Sequence, residues 1–392
     1  MTRGRTASSE DLRVDADIER ATSLPPRAFT DPQVLAAELA TVFSSSWLLI
    51  PPRGASELRT DPRGLTELVA RRGAFAPIAV LERPLFLQRD WRGALHCFPN
   101  ACTHAWHALV EGPGRERVLT CPQHGRQFSC DGRFLRHSGF GALPGFPQAH
   151  DHLRDLPLGR IDPLLFLCVG TPTLPFAQAL APVRSALKRA KVADYRRMPI
   201  EQEVREVAGN WKQHASNYLD SYHIPFVHRA PGGLAEAVDL GSYTTLLFDQ
   251  AVLQHVVAKD PRDGLDPRLV PPAFRPPKGQ RLFALWWFVF PNLTLNLYPW
   301  GLSVNLYAPL QGDPSRTLFH WYHFAADLRA YRQREQRWFD RRVDDEDTAA
   351  MAAVHRGLRS GALHGGRFSP TDERGPHWFH HKVSTALATA AA

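Results

Sequence analysis

Two cysteine–histidine pairs constrain this chain more than any other feature: Cys102-Thr103-His104 and, after sixteen residues, Cys121-Pro122-Gln123-His124. Each pair offers one thiolate and one imidazole where one short apolar run gives way to the next. A two-iron, two-sulfur cluster with two cysteines on one iron and two histidines on the other needs this set, and neutral imidazoles raise its potential above that of all-cysteine clusters. Structural zinc also accepts two cysteines and two histidines, but its finger pattern groups like ligands together at shorter spacing. Cys102, His104, Cys121 and His124 are therefore expected to hold a 2Fe-2S cluster. Pro122 stiffens the second loop, and Gly125 lets the backbone come close behind the last ligand. Cys97, Cys130 and Cys168 read as buried small hydrophobes. Five cysteines in 392 residues make no disulfide framework, which agrees with a reducing compartment.

The ligand pairs lie in a block of short apolar runs over residues 47–168, punctuated by turns such as Arg89-Asp90 and Cys130-Asp131-Gly132; the block reads as a small all-β domain. Residues 1–46 hold a polar lead and a short helix opened by Asp31-Pro32, expected to pack on the catalytic domain. Gly170–Pro175 reads as a linker, and a second domain is expected over 176–392. It has strands at Leu282–Phe290, Leu293–Tyr298 and Leu302–Ala308, and helices starting near Asn210 and after Asp327. The expected class is α+β. The first twenty residues are too polar for a secretory signal, and the longest apolar run, Leu282–Pro291, is too short to span a bilayer. A cytoplasmic protein without a membrane partner is the expectation. The net charge of +8 comes with no nucleic-acid-binding motif, so no nucleic acid partner is expected; an acidic redox partner would suit it.

A second constellation lies in GNWKQHASNYLDSYHIPFVH. Asn210 is a good helix cap, and Trp211, Ala215, Tyr218 and Tyr222 follow at helical spacing. On one helix Asp220 and His223, three apart, would be neighbours, and a metal-bound imidazole commonly donates its other N–H to such a carboxylate. His228 falls off that face unless Pro225 breaks the helix and swings it back. In the late helix Val343, Ala350, Met351, Val354 and Leu358 form an apolar stripe with Asp347 inside it. A carboxylate buried there needs a metal or a cationic partner. Two histidines and one carboxylate with open positions describe the ferrous site of oxygen-activating enzymes, and arginine pairing is the other account of Asp347.

Together these residues resemble the Rieske non-heme iron oxygenases, specifically the α subunits of ring-hydroxylating oxygenases and their monooxygenase and demethylase relatives. The resemblance runs from SLPPRAFTDP at Ser23 through CTH, CPQHG, NWK and NYLDSYHIPFVH to DEDTAAMAAVHRGLRSG. It implies a mononuclear Fe(II) at His223, His228 and Asp347 beside the 2Fe-2S cluster, and a helix-grip (SRPBCC-like) catalytic domain whose large antiparallel sheet curls around helices. It further implies a homotrimer in which Asp220 links His124 of one subunit to His223 of the next. Electrons would come from NAD(P)H through a separate reductase or ferredoxin, since no flavin or nicotinamide fingerprint is present. The chain departs from the family pattern at Trp106 and His107, at Arg126 where tryptophan is frequent, at Ser216 and at His355.

The implied activity is dioxygen-dependent mono- or dihydroxylation, or oxidative demethylation, of a small aromatic or hydrophobic molecule. A monooxygenase acting on a quaternary amine and a pure electron carrier stay open beside it. Asn217, one turn before Asp220, is expected at the substrate pocket. The polar row Asn292, Thr294, Asn296, Tyr298, Ser303, Asn305, Tyr307 suits either a pocket or a half-solvated sheet. Trp286 and Trp287 suit either an aromatic cage or the core.

Overall fold

The computed structural model describes residues 12–52, 64–140, 143–195, 199–325, 327–335, 340–361 and 364–389; the start of the polar lead lies outside them. The chain forms two compact units, Trp47–Thr173 and Met1–Ser46 with Leu174–Ala392. No helix among the described residues is long and apolar enough to cross a membrane.

The first unit is built of short antiparallel strands in three small sheets, one of four strands and two of three. Its apolar runs are only three to seven residues long, and the four-stranded sheet and the sheet of residues 118–136 share one core. Phe86, Phe98, Leu119 and Phe128 form that core together with Cys102 and Cys121. Cys102 follows the strand Leu95–Pro99, and Cys121 opens the hairpin between Val118–Thr120 and Gln127–Ser129. The remaining cysteines, Cys97, Cys130 and Cys168, are buried and free.

The second unit is organised on a seven-stranded antiparallel sheet. Its strands are β1 (Glu201–Ala208), β2 (Val238–Leu247), β3 (Ala251–Ala258), β4 (Leu282–Val289), β5 (Leu293–Tyr298), β6 (Gly301–Leu310) and β7 (Asp313–Ala325), arranged β1-β7-β6-β5-β4-β3-β2. Strand β4, LFALWWFV, is buried at every position, because both of its faces are covered and neither needs polar residues. The three strands expected around it fall within one or two residues of their expected ends.

Five helices matter here: α1 (Pro32–Ala40), α2 (Trp211–Leu219), α3 (Ile224–Val227), α4 (Asp340–Leu358) and α5 (Arg374–Thr389). Asp31 caps α1 through Gln33 N, with Pro32 in the first turn. Asn210 and Gln213 make a reciprocal capping box on α2, and α2 packs against α4 and α5. Lys212 Nζ reaches Glu38 Oε1 at 2.7 Å, both side chains fully buried, and Trp211 Nε1 donates to Glu38 Oε2 at 2.8 Å. That satisfied pair locks α1 onto the start of α2; removing either partner would leave a buried charge at a cost of about 3–5 kcal/mol.

Two features differ from the sequence expectation. The α2 helix stops before Asp220, which is its C-cap at φ −92°, ψ 122°, and His223 caps the separate helix α3. Pro225 sits in the first turn of α3, where its missing N–H is not needed, so the break falls five residues earlier than Pro225 suggests. Val354, expected in the buried stripe of α4, is exposed, whereas Met351 is buried.

Candidate metal centres

The two cluster loops are the same turn made twice. Cys102 N donates to His107 O and Trp106 N to Cys102 O; Cys121 N donates to Arg126 O and Gly125 N to Cys121 O. The fourth residue after each cysteine is left-handed, Trp106 at φ +60° and Gly125 at φ +71°. Glycine suits that conformation, whereas Trp106 carries a strain of about 1–2 kcal/mol there. The imidazoles of His104 and His124 approach edge-on with ring centroids 4.9 Å apart. Cys102 and Cys121 are both buried, and burial raises the Cys102 thiol above its ordinary range; coordination supplies the charge that makes such a thiol a thiolate. Two buried cysteines on twin loops whose imidazoles converge fit the cluster.

Arg126, at the departure from the family pattern, is buried and bridges the loops. Its guanidinium donates to Thr103 Oγ1 at 3.0 Å and to Asp151 Oδ1 at 2.7 Å, and it lies over the rings of Phe134 and Phe146.

In the second unit, His223, His228 and Asp347 bring one ligand atom each within 4.8 Å of one another. His223 Nε2 and His228 Nε2 are 3.2 Å apart, and Asp347 Oδ1 lies 3.5 Å from the first and 3.2 Å from the second. Metal bonds of about 2.1 Å at right angles place adjacent ligand atoms about 3.0 Å apart, so this spacing fits a three-ligand face with open positions opposite. Without a metal, burial disfavours charge on His223, but the carboxylates of Asp220 and Asp347, each 3.5 Å from one of its ring nitrogens, outweigh it and raise the imidazole to about 9. Burial also opposes charge on Asp347, yet the two imidazoles hold its carboxyl well below the usual range. Three groups locked in mutual charge satisfaction are what a shared cation replaces.

Each histidine has its own carboxylate behind it. Asp220 Oδ2 stands 3.5 Å from His223 Nδ1, with Asp220 Oδ1 held by Tyr222 N. Glu346 Oε2 stands 2.8 Å from His228 Nδ1. Asn217 is buried, and its amide donates to Asp347 Oδ1 at 2.9 Å; contrary to expectation it supports a triad member and does not line the cavity. Asp345 turns away and pairs with Arg205. Glu346 escaped the sequence reading because its neighbour Asp347 already satisfied the triad.

The triad opens into a cavity that it lines together with side chains from the sheet and from α4. One wall is a straight row across four strands, Gln254, Trp286, Asn296 and Ser303, aligned by the register of β3 to β6. Tyr218, Tyr243, Phe283, Tyr298, Tyr307 and Trp321 complete an aromatic lining. Trp286 Nε1 donates to Tyr298 Oη, and Tyr218 Oη to Asn296 Oδ1. Trp287, one residue on, points to the opposite face and is fully buried beside Phe248 and Phe274. The polar row Asn292, Thr294, Asn296, Ser303, Asn305 is buried throughout, so it is not a half-solvated face; three of its members, with Tyr298 and Tyr307, line the cavity.

A cluster-binding β unit and a sheet-and-helix unit with an iron-type triad define a two-centre oxygenase chain. The ring-hydroxylating alpha subunit catalytic-domain model matches residues 192–389, and the Rieske [2Fe-2S] domain model matches residues 65–147. The chain belongs to the Rieske non-heme iron oxygenases: it is an oxidoreductase carrying a 2Fe-2S cluster and a mononuclear iron, driven by dioxygen and by electrons from a separate reductase. It is 28% identical over 382 residues to a chloroplastic choline monooxygenase of Arabidopsis thaliana, covering 93% of this chain and 82% of that one. It is 25% identical over 394 residues to the carnitine monooxygenase oxygenase subunit of Acinetobacter pittii, covering 96% and 97%. Among solved structures, the quaternary ammonium Rieske monooxygenase CntA superposes with a TM-score of 0.74 at 21% identity, covering 98% and 99%. Naphthalene 1,2-dioxygenase from Rhodococcus sp. gives 0.70 at 16% identity, covering 93% and 94%.

Proposed function

We propose that this protein is a monooxygenase of small quaternary ammonium compounds, with iron at His223, His228 and Asp347 and the cluster at Cys102, His104, Cys121 and His124. The observation that carries the substrate class is the cavity: the aromatic side chains Tyr218, Tyr243, Trp286 and Tyr298 line it together with Asp220, Asp344, Glu346 and Asp347. Ring faces attract a cation that cannot donate a hydrogen bond, and acids add a long-range pull. Among the described residues, the one arginine lining the cavity, Arg342, is bound to Glu346. The relatives named for choline and carnitine support the same class.

The overall change is R–H + O₂ + 2 e⁻ + 2 H⁺ → R–OH + H₂O, at a carbon bonded to the ammonium nitrogen or further along the chain. Iron supplies dioxygen activation. The protein's residues hold the cation against the rings, keep water from the reacting carbon and fix the ligand histidines through Asp220 and Glu346. Asp220, 3.5 Å from His223, is proposed as the electron bridge to His124 of a neighbouring subunit in a homotrimer, with Asn217 steadying Asp347. A ferredoxin or reductase acting in the cytoplasm completes the proposal; five cysteines without a disulfide, two of them assigned to the cluster, suit that reducing compartment.

Oxygen uptake with a compatible reductase and NAD(P)H tests the substrate class. Choline- or carnitine-type trimethylammonium compounds should drive product-coupled uptake, and their neutral tert-butyl isosteres should not. Equal turnover of the isosteres, or turnover of planar arenes alone, refutes the cation reading.

A further inference from the structure

His228 is buried, so its ring nitrogens can find partners only within the protein. Its Nε2 faces His223 and Asp347, and its Nδ1 lies 2.8 Å from Glu346 Oε2. An imidazole that donates from Nδ1 keeps its Nε2 lone pair free for a metal, and the acceptor fixes both tautomer and ring plane. Glu346 does not act alone. Its other oxygen, Oε1, accepts from Arg342 Nε at 3.1 Å, one turn earlier on α4, and Arg342 Nη1 reaches Pro231 O at 3.4 Å. Helix α4 is thereby tied to the segment bearing His228 at two points, three residues apart in that segment.

We propose that Glu346, clamped by Arg342, is the positioning residue for His228, and that the consecutive pair Glu346-Asp347 sets the mononuclear site's metal affinity. One turn of α4 supplies both a ligand and the group that aims another ligand, so ligand atom and ring orientation stay in step. The His223 side is looser, since Asp220 stands at 3.5 Å from Nδ1 and shares its carboxylate with the Tyr222 amide. The pair His228–Asp347 is the rigid half of the site, and His223 is the half left free to answer to Asp220. This inference rests on the reading that His223, His228 and Asp347 hold iron.

The test is anaerobic titration of the full-length protein with Co²⁺ after chelation has removed the mononuclear metal, with the cluster's visible spectrum checked for retention. Glu346→Ala should weaken Co²⁺ binding about 10–100-fold and alter the cobalt d–d bands. Glu346→Gln, whose amide oxygen still accepts from Nδ1 but whose NH2 cannot accept from Arg342, and Arg342→Met, which removes the same clamp, should both fall between wild type and Glu346→Ala. A Glu346→Ala protein that binds Co²⁺ as tightly as wild type with the same bands overturns the proposal, as does a Glu346→Gln loss as large as that of Glu346→Ala. Should Glu346→Ala lose the cluster spectrum through misfolding, Arg342→Met decides: wild-type affinity there is equally fatal. The underlying triad reading fails separately, if wild-type protein takes up no Co²⁺ or Asp347→Ala takes it up unchanged.

Discussion

Asp347 and Asp220 touch the same histidine and do different work. Asp347 offers a ligand atom 3.2–3.5 Å from both imidazole nitrogens, so Asp347→Ala is expected to abolish mononuclear iron and turnover while the cluster spectrum is unchanged. Iron analysis with visible and EPR spectra reads both, and full activity in that variant would remove the oxygenase assignment. Asp220→Asn should keep both metal sites loaded and slow electron transfer between them severely; single-turnover kinetics decides. Arg126 acts on the other centre. It is a buried cation bonded to Thr103, between two ligands of one loop, and it follows the last ligand of the other. Positive charge there favours the reduced cluster, so Arg126→Gln is expected to lower the midpoint potential and to leave Asp151 without its buried ion-pair partner, though still accepting from Gln148 N. Spectroelectrochemistry checks this, and an intact cluster with an unmoved potential would show that Asp151 already cancels the charge.

Among the elements, α2 and α5 carry histidines that fold in neutral. His380 on α5 accepts from Leu24 N at 3.1 Å, and burial pushes it down to about 3. Burial pushes His214 on α2 down to about 4, against the opposing pull of the Ala208 carbonyl. In the unfolded chain both protonate near pH 6.5, so below that pH the unfolded state binds more protons and stability falls as pH drops, levelling off near pH 3–4. At pH 5 each histidine should cost about 2 kcal/mol. Urea unfolding at pH 7 and pH 5 should show this loss, reduced in His380→Asn; equal pH sensitivity of the variant would exonerate His380. These elements also mark how far the sequence could be read. Capping by Asp31 and Asn210 and the alternation of β5 and β6 are local, and they locate helix starts and these strands to within a residue or two, whereas the end of α2 comes earlier than Pro225 suggests. Cys102, His104, Cys121, His124, His223 and His228 stand out because their partners lie a few residues away. Glu346 does not, because in the run Asp344-Asp345-Glu346-Asp347 only the position of His228, 118 residues earlier, tells one acid from the next. Trp286 and Trp287 are equally apolar, and it takes the pairing of β4 with β3 and β5 to set one on the cavity and the other in the core.

For the whole molecule, two centres per chain fix a ratio. Protein purified without added metal should hold about three irons and two acid-labile sulfides per chain, and two irons with two sulfides would leave a Rieske carrier. The proposed trimer makes a stronger demand, because it separates the cluster that donates from the iron that receives. Cys102→Ser destroys the cluster and keeps the triad; Asp347→Ala does the reverse. Each variant alone should be inactive. Mixed at random in closed rings, a triad-competent subunit is needed beside a cluster-competent neighbour in the donating direction. Half the subunits meet the first condition and half of their neighbours the second, so about a quarter of wild-type activity per chain should return in the unfractionated mixture, and about a third in purified mixed trimers, each of which holds one productive neighbour pair. Co-expression of differently tagged variants, tandem purification of the mixed species and oxygen-uptake assays measure it. Because neither variant has both centres, no electron route within one chain can restore turnover. Activity in the mixture therefore reports transfer between subunits, and its absence in verified mixed oligomers would confine the relay to a single chain and take the bridging role from Asp220.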